Sequence, residues 1–167
     1  MGYDLVDGIM GQLVEGEVRA PISALMDMHM VEFGRGTAVY EMPLRPELGN
    51  PMGMLQGGAA CVIADVAMAM ATTTTLDDEQ FTSSAVTTVD LFARYLRPVP
   101  CTEGTLRAEA QVVRSGSRVV WAECDLFANE KLIGKFTGTG IKVGFKSENI
   151  VKVEGDHQHH GHGNGQG

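Results

Sequence analysis

The spacing of apolar side chains changes along the chain, and each stretch favours a different element. Residues 3–14 carry apolar side chains at helical intervals, which predicts a short amphipathic helix. Residues 31–42 are typical of extended chain interrupted at 34–36, and the prolines and glycines of 43–56 predict a loop. Residues 57–74 are rich in alanine and unbranched apolar side chains, which predicts one central helix of about sixteen residues, roughly 24 Å long.

The second half of the chain shows the twofold alternation of strands. We predict strands at residues 82–96, 105–114, 118–127 and 132–143. The connection at 115–117 predicts a hairpin in which Gly116 adopts a positive φ, and 129–131 predicts a second turn. Gly134, Gly138 and Gly140 share one strand face, which indicates close packing of the central helix there. Short turns need no crossover helices, so we predict an α+β fold with an antiparallel sheet wrapped around the helix.

Composition and charge narrow the class of protein. The 167 residues include 13 Lys and Arg against 21 Asp and Glu, a net charge of −8 that disfavours nucleic-acid and anionic-membrane binding. Three cysteines (Cys61, Cys101 and Cys124) without paired spacing indicate neither a disulfide scaffold nor a zinc site. No signal-peptide pattern or apolar run of membrane-spanning length is present, so we expect a cytoplasmic protein with no membrane partner.

The last thirteen residues differ from the rest. Residues 155–167 hold five glycines, four of the five histidines and no apolar side chain, so we predict a disordered tail after a single domain at 1–154. The histidines are either part of a solvated tail or weak ligands for Ni²⁺, Cu²⁺ or Zn²⁺, without a fixed geometry. We therefore predict no ordered metal site and no cofactor.

Asp65 is the anomaly of the central helix. From Gly57 to Ala71 the ionisable side chains are Asp65 and the thiol of Cys61, on a helix that is apolar all round and should be buried. A buried carboxylate needs a partner from elsewhere. Asp65 either meets a strand arginine or caps a loop, or it faces a cleft as a general base or nucleophile. Cys61 is a weaker candidate nucleophile because no histidine lies in a motif that would activate it.

The entry to this helix is a second candidate feature. Gln56 is followed by Gly57 and Gly58 at the helix N-terminus, where free N–H groups and the positive end of the dipole collect. Glycine lets a carbonyl or oxyanion approach that backbone closely. The alternative is that the two glycines only relieve crowding against the sheet.

Two segments carry a family resemblance. NPMGMLQGGAACVIAD (Asn50–Asp65) and TVDLFARYLRP (Thr88–Pro98) resemble the hotdog-fold thioesterases, in particular the phenylacetyl-CoA thioesterase-like (PaaI-type) subfamily. Matching order and spacing extend from about residue 31 to 143. The resemblance implies a sheet wrapped around a long helix, a homodimer or homotetramer, and an active site across the protomer interface.

The resemblance also implies roles for individual residues. Asp65 would be the general base or nucleophile, and the Gly57 N–H would polarise the thioester oxygen. Asn50 would position the water or the carbonyl, and Thr88 would assist from the facing protomer. Gln56 stands where the family usually has histidine, and it could orient Asn50 or the loop without titrating.

Arginines concentrate where the resemblance implies coenzyme A binding. Five of the eight arginines lie within residues 94–118, a local charge of +3 that leaves −11 for the remainder. Arginine suits phosphate because its planar fork donates two hydrogen bonds at once, although a strand arginine is as often merely solvated. The implied substrate-binding residues are Gly58, Arg97, Pro98, Arg114, Ser115, Gly116, Ser117 and Arg118.

We therefore expect an acyl-CoA thioesterase that hydrolyses an aryl or medium-chain acyl thioester. A non-catalytic acyl-CoA or fatty-acyl binding protein on the same scaffold is the alternative, motivated by Gln56. A hydratase or dehydratase is disfavoured because no histidine occurs between His29 and His157. Met52, Met54, Met68 and Met70 are candidates for an adaptable acyl pocket or for core packing.

Overall fold

The computed structural model describes residues 2–145 and the backbone of 153 and 154. Its helices are α1 (Asp4–Val14), α2 (Pro21–Met26), α3 (Gly57–Thr73) and α4 (Asp78–Ser83), with a 3₁₀ turn at Pro46–Leu48. Its strands are β1 (Val18–Arg19), β2 (His29–Gly34), β3 (Thr37–Pro43), β4 (Ser84–Tyr95), β5 (Thr105–Ser115), β6 (Val119–Ala128), β7 (Lys131–Gly144) and β8 (Val153–Glu154). The predicted N-terminal and central helices are confirmed, whereas the tail predicted at 155–167 lies outside the described residues.

Six strands form one sheet in the order β2-β3-β5-β6-β7-β4, and each neighbouring pair is antiparallel. The short strands β1 and β8 pair separately. β4 lies at one end of the six-stranded sheet and pairs with β7 along a single side. The predicted antiparallel sheet is confirmed. Among the described residues, no strand pairs with the other side of the twelve-residue β4.

α3 lies across the concave side of this sheet and contacts β3 to β7. Its sheet-facing side is largely alanine, with Ala60, Ala64, Ala67 and Ala71 buried, so the helix axis can approach the strands closely. The expectation that α3 is buried all round is wrong, because Cys61, Asp65 and other residues on its opposite side are only half-buried. A single sheet covers one side of a helix, so the described part of the chain leaves the other side open. None of the described helices combines the length and apolar surface that a bilayer span needs.

Local chemistry explains where the elements differ from the predicted ones. β4 begins at Ser84, not at residue 82, because Asp77 and Gln80 form a capping box that starts α4. The positive φ predicted for Gly116 is wrong, because its φ is negative or extended. A glycine nevertheless suits this turn, since a Cβ there would lie 3.0 Å from the Val119 carbonyl oxygen. The turn at Asn129 and Glu130 does have two positive φ angles, as a tight type I′ hairpin requires.

The three glycines of β7 have three different neighbours. A Cβ on Gly138 would lie 3.2 Å from Cε of Met68 on α3, as the prediction of close helix packing requires. A Cβ on Gly140 would instead meet Cγ1 of Val86 on β4, and a Cβ on Gly134 would meet the ring of Phe136. The expected helix contact therefore explains the middle glycine only.

Candidate active site

Asp65 and Thr88 form a side-chain pair at the boundary between α3 and β4. The Thr88 hydroxyl donates to Oδ1 of Asp65 at 2.7 Å, and both residues belong to the same chain. Within residues 2–145, Asp65 forms no ion pair with a lysine, arginine or histidine. The partner of the carboxylate is therefore a strand hydroxyl. It is neither the strand arginine nor the loop that a purely structural role of Asp65 would require.

A β-bulge in β4 gives this strand two different registers toward α3. The pairing with β7 shifts between Thr88 and Asp90, so Val89 is the extra residue. Before the bulge the even-numbered Thr88 faces the helix, and beyond it the odd-numbered Tyr95 does so. Without the inserted residue, one of these two side chains would point to the opposite side of the sheet.

At the N-terminus of α3, Tyr95 packs directly on Gly57. The Tyr95 hydroxyl donates to the Gly57 carbonyl at 2.9 Å. A Cβ placed on Gly57 would lie 2.9 Å from the Tyr95 hydroxyl oxygen. Crowding thus accounts for a glycine at 57, whereas nothing lies within 4 Å of a Cβ placed on Gly58. The N–H groups of Gly57 and Gly58 have no acceptor within the described residues, as expected for a first helical turn.

Tyr95 is a residue of the candidate site that the sequence did not predict. Its hydroxyl also lies 3.1 Å from Sγ of Cys61, one turn further along α3. Burial, and then the contact with Cys61, raises the pKa of Tyr95 to about 12. The phenol is therefore a neutral donor near pH 7. The bulge hid this residue, because strict alternation from Thr88 places position 95 on the other side of the sheet.

Asn50 organises the loop that precedes α3. Its Oδ1 accepts the N–H groups of Met52 at 2.9 Å and Met54 at 3.2 Å, and its own N–H donates to the Met54 carbonyl at 2.7 Å. The carbonyl oxygen of the Asn50 side chain is thus engaged. Asn50 also lines a cavity of about 370 Å³, together with Gly57, Tyr95, Arg97 and Pro98.

The proposed catalytic residues fall into two groups in a single chain. Asn50 and Gly57 line the cavity at the N-terminus of α3, and we call them the Gly57 half-site. Asp65 and Thr88 line a separate small pocket, and we call them the Asp65 half-site. Eight residues, or about 12 Å along the helix, separate Gly57 from Asp65. Gln56 is the N-cap of α3, and its exposed side chain makes no capping hydrogen bond.

The hairpin predicted to bind coenzyme A lies away from the Gly57 half-site. Ser115, Val120, Gly140 and Thr88 occupy one row across four adjacent strands, so the hairpin tip is about 14 Å from β4 at the Asp65 end. The Arg114 guanidinium lies 5.7 Å from the Trp121 ring centroid. Arg114 to Arg118 line neither the cavity nor the small pocket.

Comparison with known proteins identifies the family. Residues 52–134, half of the chain, match the family model described as the thioesterase superfamily. The chain belongs to the thioesterase superfamily. A curated Caenorhabditis elegans protein, whose name describes it as a candidate esterase, is 29% identical over 114 residues, which cover 68% of this chain. The matched region spans 63% of that protein, less than two thirds of its length.

Solved structures share the fold over most of their length. A conserved protein of Pseudomonas aeruginosa is 26% identical with a TM-score of 0.68, over 76% of this chain and 97% of that one. A phenylacetic acid degradation-related protein of Ralstonia eutropha is 25% identical with a TM-score of 0.68, over 79% and 98%. The Escherichia coli PaaI protein of the phenylacetic acid degradation operon has 21% identity and a TM-score of 0.67, over 75% and 86%. The predicted hotdog fold and family are confirmed.

Proposed function

We propose that the chain is a thioester hydrolase that releases coenzyme A and a free acid from an aryl or medium-chain acyl-CoA. The observation that carries this proposal is the Asp65–Thr88 pair on the open side of an otherwise apolar helix. A carboxylate held by a single neutral hydroxyl keeps lone pairs for a water or a substrate carbonyl. Membership of the thioesterase superfamily supports this chemistry.

Two reaction routes use the same residues. In the first, Asp65 accepts a proton from water while the water oxygen attacks the thioester carbon. In the second, Asp65 attacks that carbon itself, and water then opens the resulting mixed anhydride. In both, the carbonyl oxygen gains negative charge, which the free Gly57 N–H and the positive end of α3 stabilise. The C–S bond then breaks, and the departing thiolate takes up a proton.

The separation of the two half-sites leads us to propose an active site shared between two copies. β4 exposes one edge and several apolar side chains, Val89 at 59% and Phe92 at 56% among them. Antiparallel pairing of β4 with the same strand of a second copy brings the Thr88 end of one next to the Tyr95 end of the other. Asp65 then faces Gly57 and Asn50 of the partner protomer, in a homodimer or a tetramer built from two such dimers.

The same arrangement gives coenzyme A a cationic path. Arg97 lines the cavity of the Gly57 half-site, while the hairpin from Arg114 to Arg118 lies at the Asp65 end of the sheet. Antiparallel pairing brings these two ends together from different protomers. Guanidinium groups on both sides can then bind the phosphates, and Gly58 leaves open space for the pantetheine arm.

The first test is thiol release from a panel of acyl-CoA esters by the wild-type protein and Asp65→Asn. We expect kcat to fall by about 10²–10⁴-fold, because the variant lacks the base or nucleophile. Circular dichroism should be unchanged, since the amide can still accept from Thr88. Equal turnover by the variant would contradict the role of Asp65. Saturable binding of acyl-CoA without hydrolysis by the wild type would favour the non-catalytic binding protein.

The second test mixes two inactive variants. Asp65→Asn and Asn50→Ala damage different half-sites, so after subunit exchange a hybrid dimer contains one intact active site and one doubly damaged site. An equal mixture should regain about a quarter of wild-type activity, because about half of the dimers are hybrids. A mixture that stays inactive, although mass measurement shows exchanged dimers, would mean that both half-sites act within one protomer.

A further inference from the structure

A second cavity lies between the N-terminal helix and the C-terminal half of α3, next to the Asp65 half-site. It is a groove of about 270 Å³ between α1, the C-terminal half of α3 and the start of β4. Its walls include Ile9 and Leu13 of α1, Met70 of α3, and Phe145 after β7. None of the described residues that line it carries a charge, whereas the cavity of the Gly57 half-site contains Arg97. The groove therefore suits an apolar group.

The groove adjoins the Asp65 half-site. Val86 lines both the groove and the small pocket that holds Asp65 and Thr88. Along α3, Met70 and Thr73 of the groove follow Asp65 by five and eight residues, or about 7.5 and 12 Å. An apolar chain attached to a carbonyl carbon at Asp65 can therefore enter the groove past Val86.

We infer that this groove, which we call the acyl groove, receives an unbranched acyl chain of medium length. The inference rests on the proposed function and names the substrate class of that same site. A volume of 270 Å³ holds about nine groups the size of a water molecule, at ~30 Å³ each. Methionine and phenylalanine walls adapt to a flexible hydrocarbon chain. The hydroxyls of Thr73 and Ser84 in the lining already donate to backbone carbonyls, at 2.8 and 2.6 Å.

The acyl groove combines residues inside and outside the family match. Ile9, Leu13, Ala20 and Phe145 lie beyond residues 52–134, whereas the wall formed by α3 and the start of β4 lies within that range. The N-terminal segment and the residue after β7 thus complete a groove whose other wall belongs to the matched region.

The test is a chain-length series of straight acyl-CoA esters with the wild-type protein and Ala20→Phe. Ala20 is exposed and lines the groove, so a larger side chain there fills it without displacing the core. For the wild type we expect kcat/KM to rise about fourfold per added methylene until the groove is full. Ala20→Phe should lower kcat/KM at least tenfold for medium chains and less than twofold for acetyl-CoA.

Two further variants make the result specific to the groove. Leu25→Phe is the matched control, because Leu25 is 73% exposed on α2 and does not line the groove. It should keep the wild-type chain-length profile. Leu13→Ala enlarges the groove and should move the optimum to longer chains, which gives a test of opposite sign if Ala20→Phe does not fold.

A binding measurement separates failure of this inference from failure of the proposed function. Calorimetry with non-hydrolysable thioether analogues of the same acyl-CoA series needs no turnover. If the wild type hydrolyses nothing but its affinity grows with chain length and Ala20→Phe abolishes that growth, the acyl groove stands and the hydrolase proposal fails. If both proteins share one profile, or if Ala20→Phe changes the mass in solution and not the profile, the inference is wrong.

Discussion

The two half-sites of α3 achieve their geometry in different ways. At its N-terminus the proposed reactive groups are backbone N–H groups, held in place because Tyr95 packs on Gly57 and Asn50 closes the preceding loop. Two turns further along, the proposed reactive group is one carboxylate on an open helix side, which accepts from Thr88. The first half-site is therefore organised by packing within the chain, whereas the second would depend on its surroundings in the proposed dimer.

This difference suggests which substitutions should act through structure and which through chemistry. A side chain at position 57 must first displace Tyr95, so this change should alter stability and activity together. A change at the Asp65 half-site removes a polar group from a half-buried position and should alter activity with little effect on stability. Three predictions follow this contrast from the largest effect to the smallest.

The largest effect is expected for Gly57→Ala. The new Cβ would lie 2.9 Å from the Tyr95 oxygen and 3.0 Å from Cζ, so the ring or the helix start must move. Displacement of an oxyanion donor by a fraction of an ångström to an ångström costs about 10²-fold in kcat. Thiol-release kinetics and urea unfolding should both deteriorate.

Gly58→Ala is the matched control for stability. A Cβ there meets nothing within 4 Å, so alanine should raise the free energy of unfolding by up to about 1 kcal/mol through helix propensity. Opposite signs of the two stability changes would support the packing interpretation of Gly57. Equal, small changes would show that Tyr95 does not constrain the helix start, and the contrast between the half-sites would lose its basis.

An intermediate effect is expected for Thr88→Val, which replaces the hydroxyl by a methyl group of similar size. The lost hydrogen bond ends on a charged acceptor, and at this half-exposed position we expect about a tenfold loss in kcat. Thr88→Ser keeps the donor and should restore most of the activity. The urea midpoint should move little in either variant. A rate loss as large in Thr88→Ser as in Thr88→Val would mean that the hydroxyl does not orient Asp65.

Periodicity and composition predicted the elements of this fold because each has a local cause. The alanine-rich run over Gly57–Thr73 predicted α3, and the strict alternation of residues 105–114 predicted β5. The bulge at Val89 has no such signature, since it arises from the pairing of β4 with β7. Tyr95 and its contact with Gly57 consequently escaped prediction.

Family resemblance indicated the residues of the candidate site but not their spatial grouping. Asn50, Gly57 and Asp65 are close in sequence, yet a helix separates the last two by about 12 Å. Thr88 was expected to assist from a facing protomer, and it bonds to Asp65 of its own chain. The acyl groove was out of reach for another reason: it joins α1 to Phe145, and such long-range packing leaves no local pattern.

The smallest effect is expected for Tyr95→Phe, which keeps the ring on Gly57 and removes the hydroxyl. A neutral hydrogen bond contributes about 1 kcal/mol, so kcat should fall about fivefold.

The sharper readout for Tyr95→Phe is the pH dependence of the free energy of unfolding. Because burial and Cys61 raise the pKa of Tyr95 from 10.0 to about 12, the unfolded phenol ionises first as the pH rises. Its contribution to the free energy of unfolding is therefore constant below pH 10 and is lost as the pH rises toward 12. Urea unfolding at about pH 9 and pH 11 should show a shallower decline for Tyr95→Phe than for the wild type, because the variant lacks this ionisation. The difference should be small because Tyr95 is 55% exposed in a single chain, and equal declines would place its hydroxyl in solvent rather than against Gly57 and Cys61.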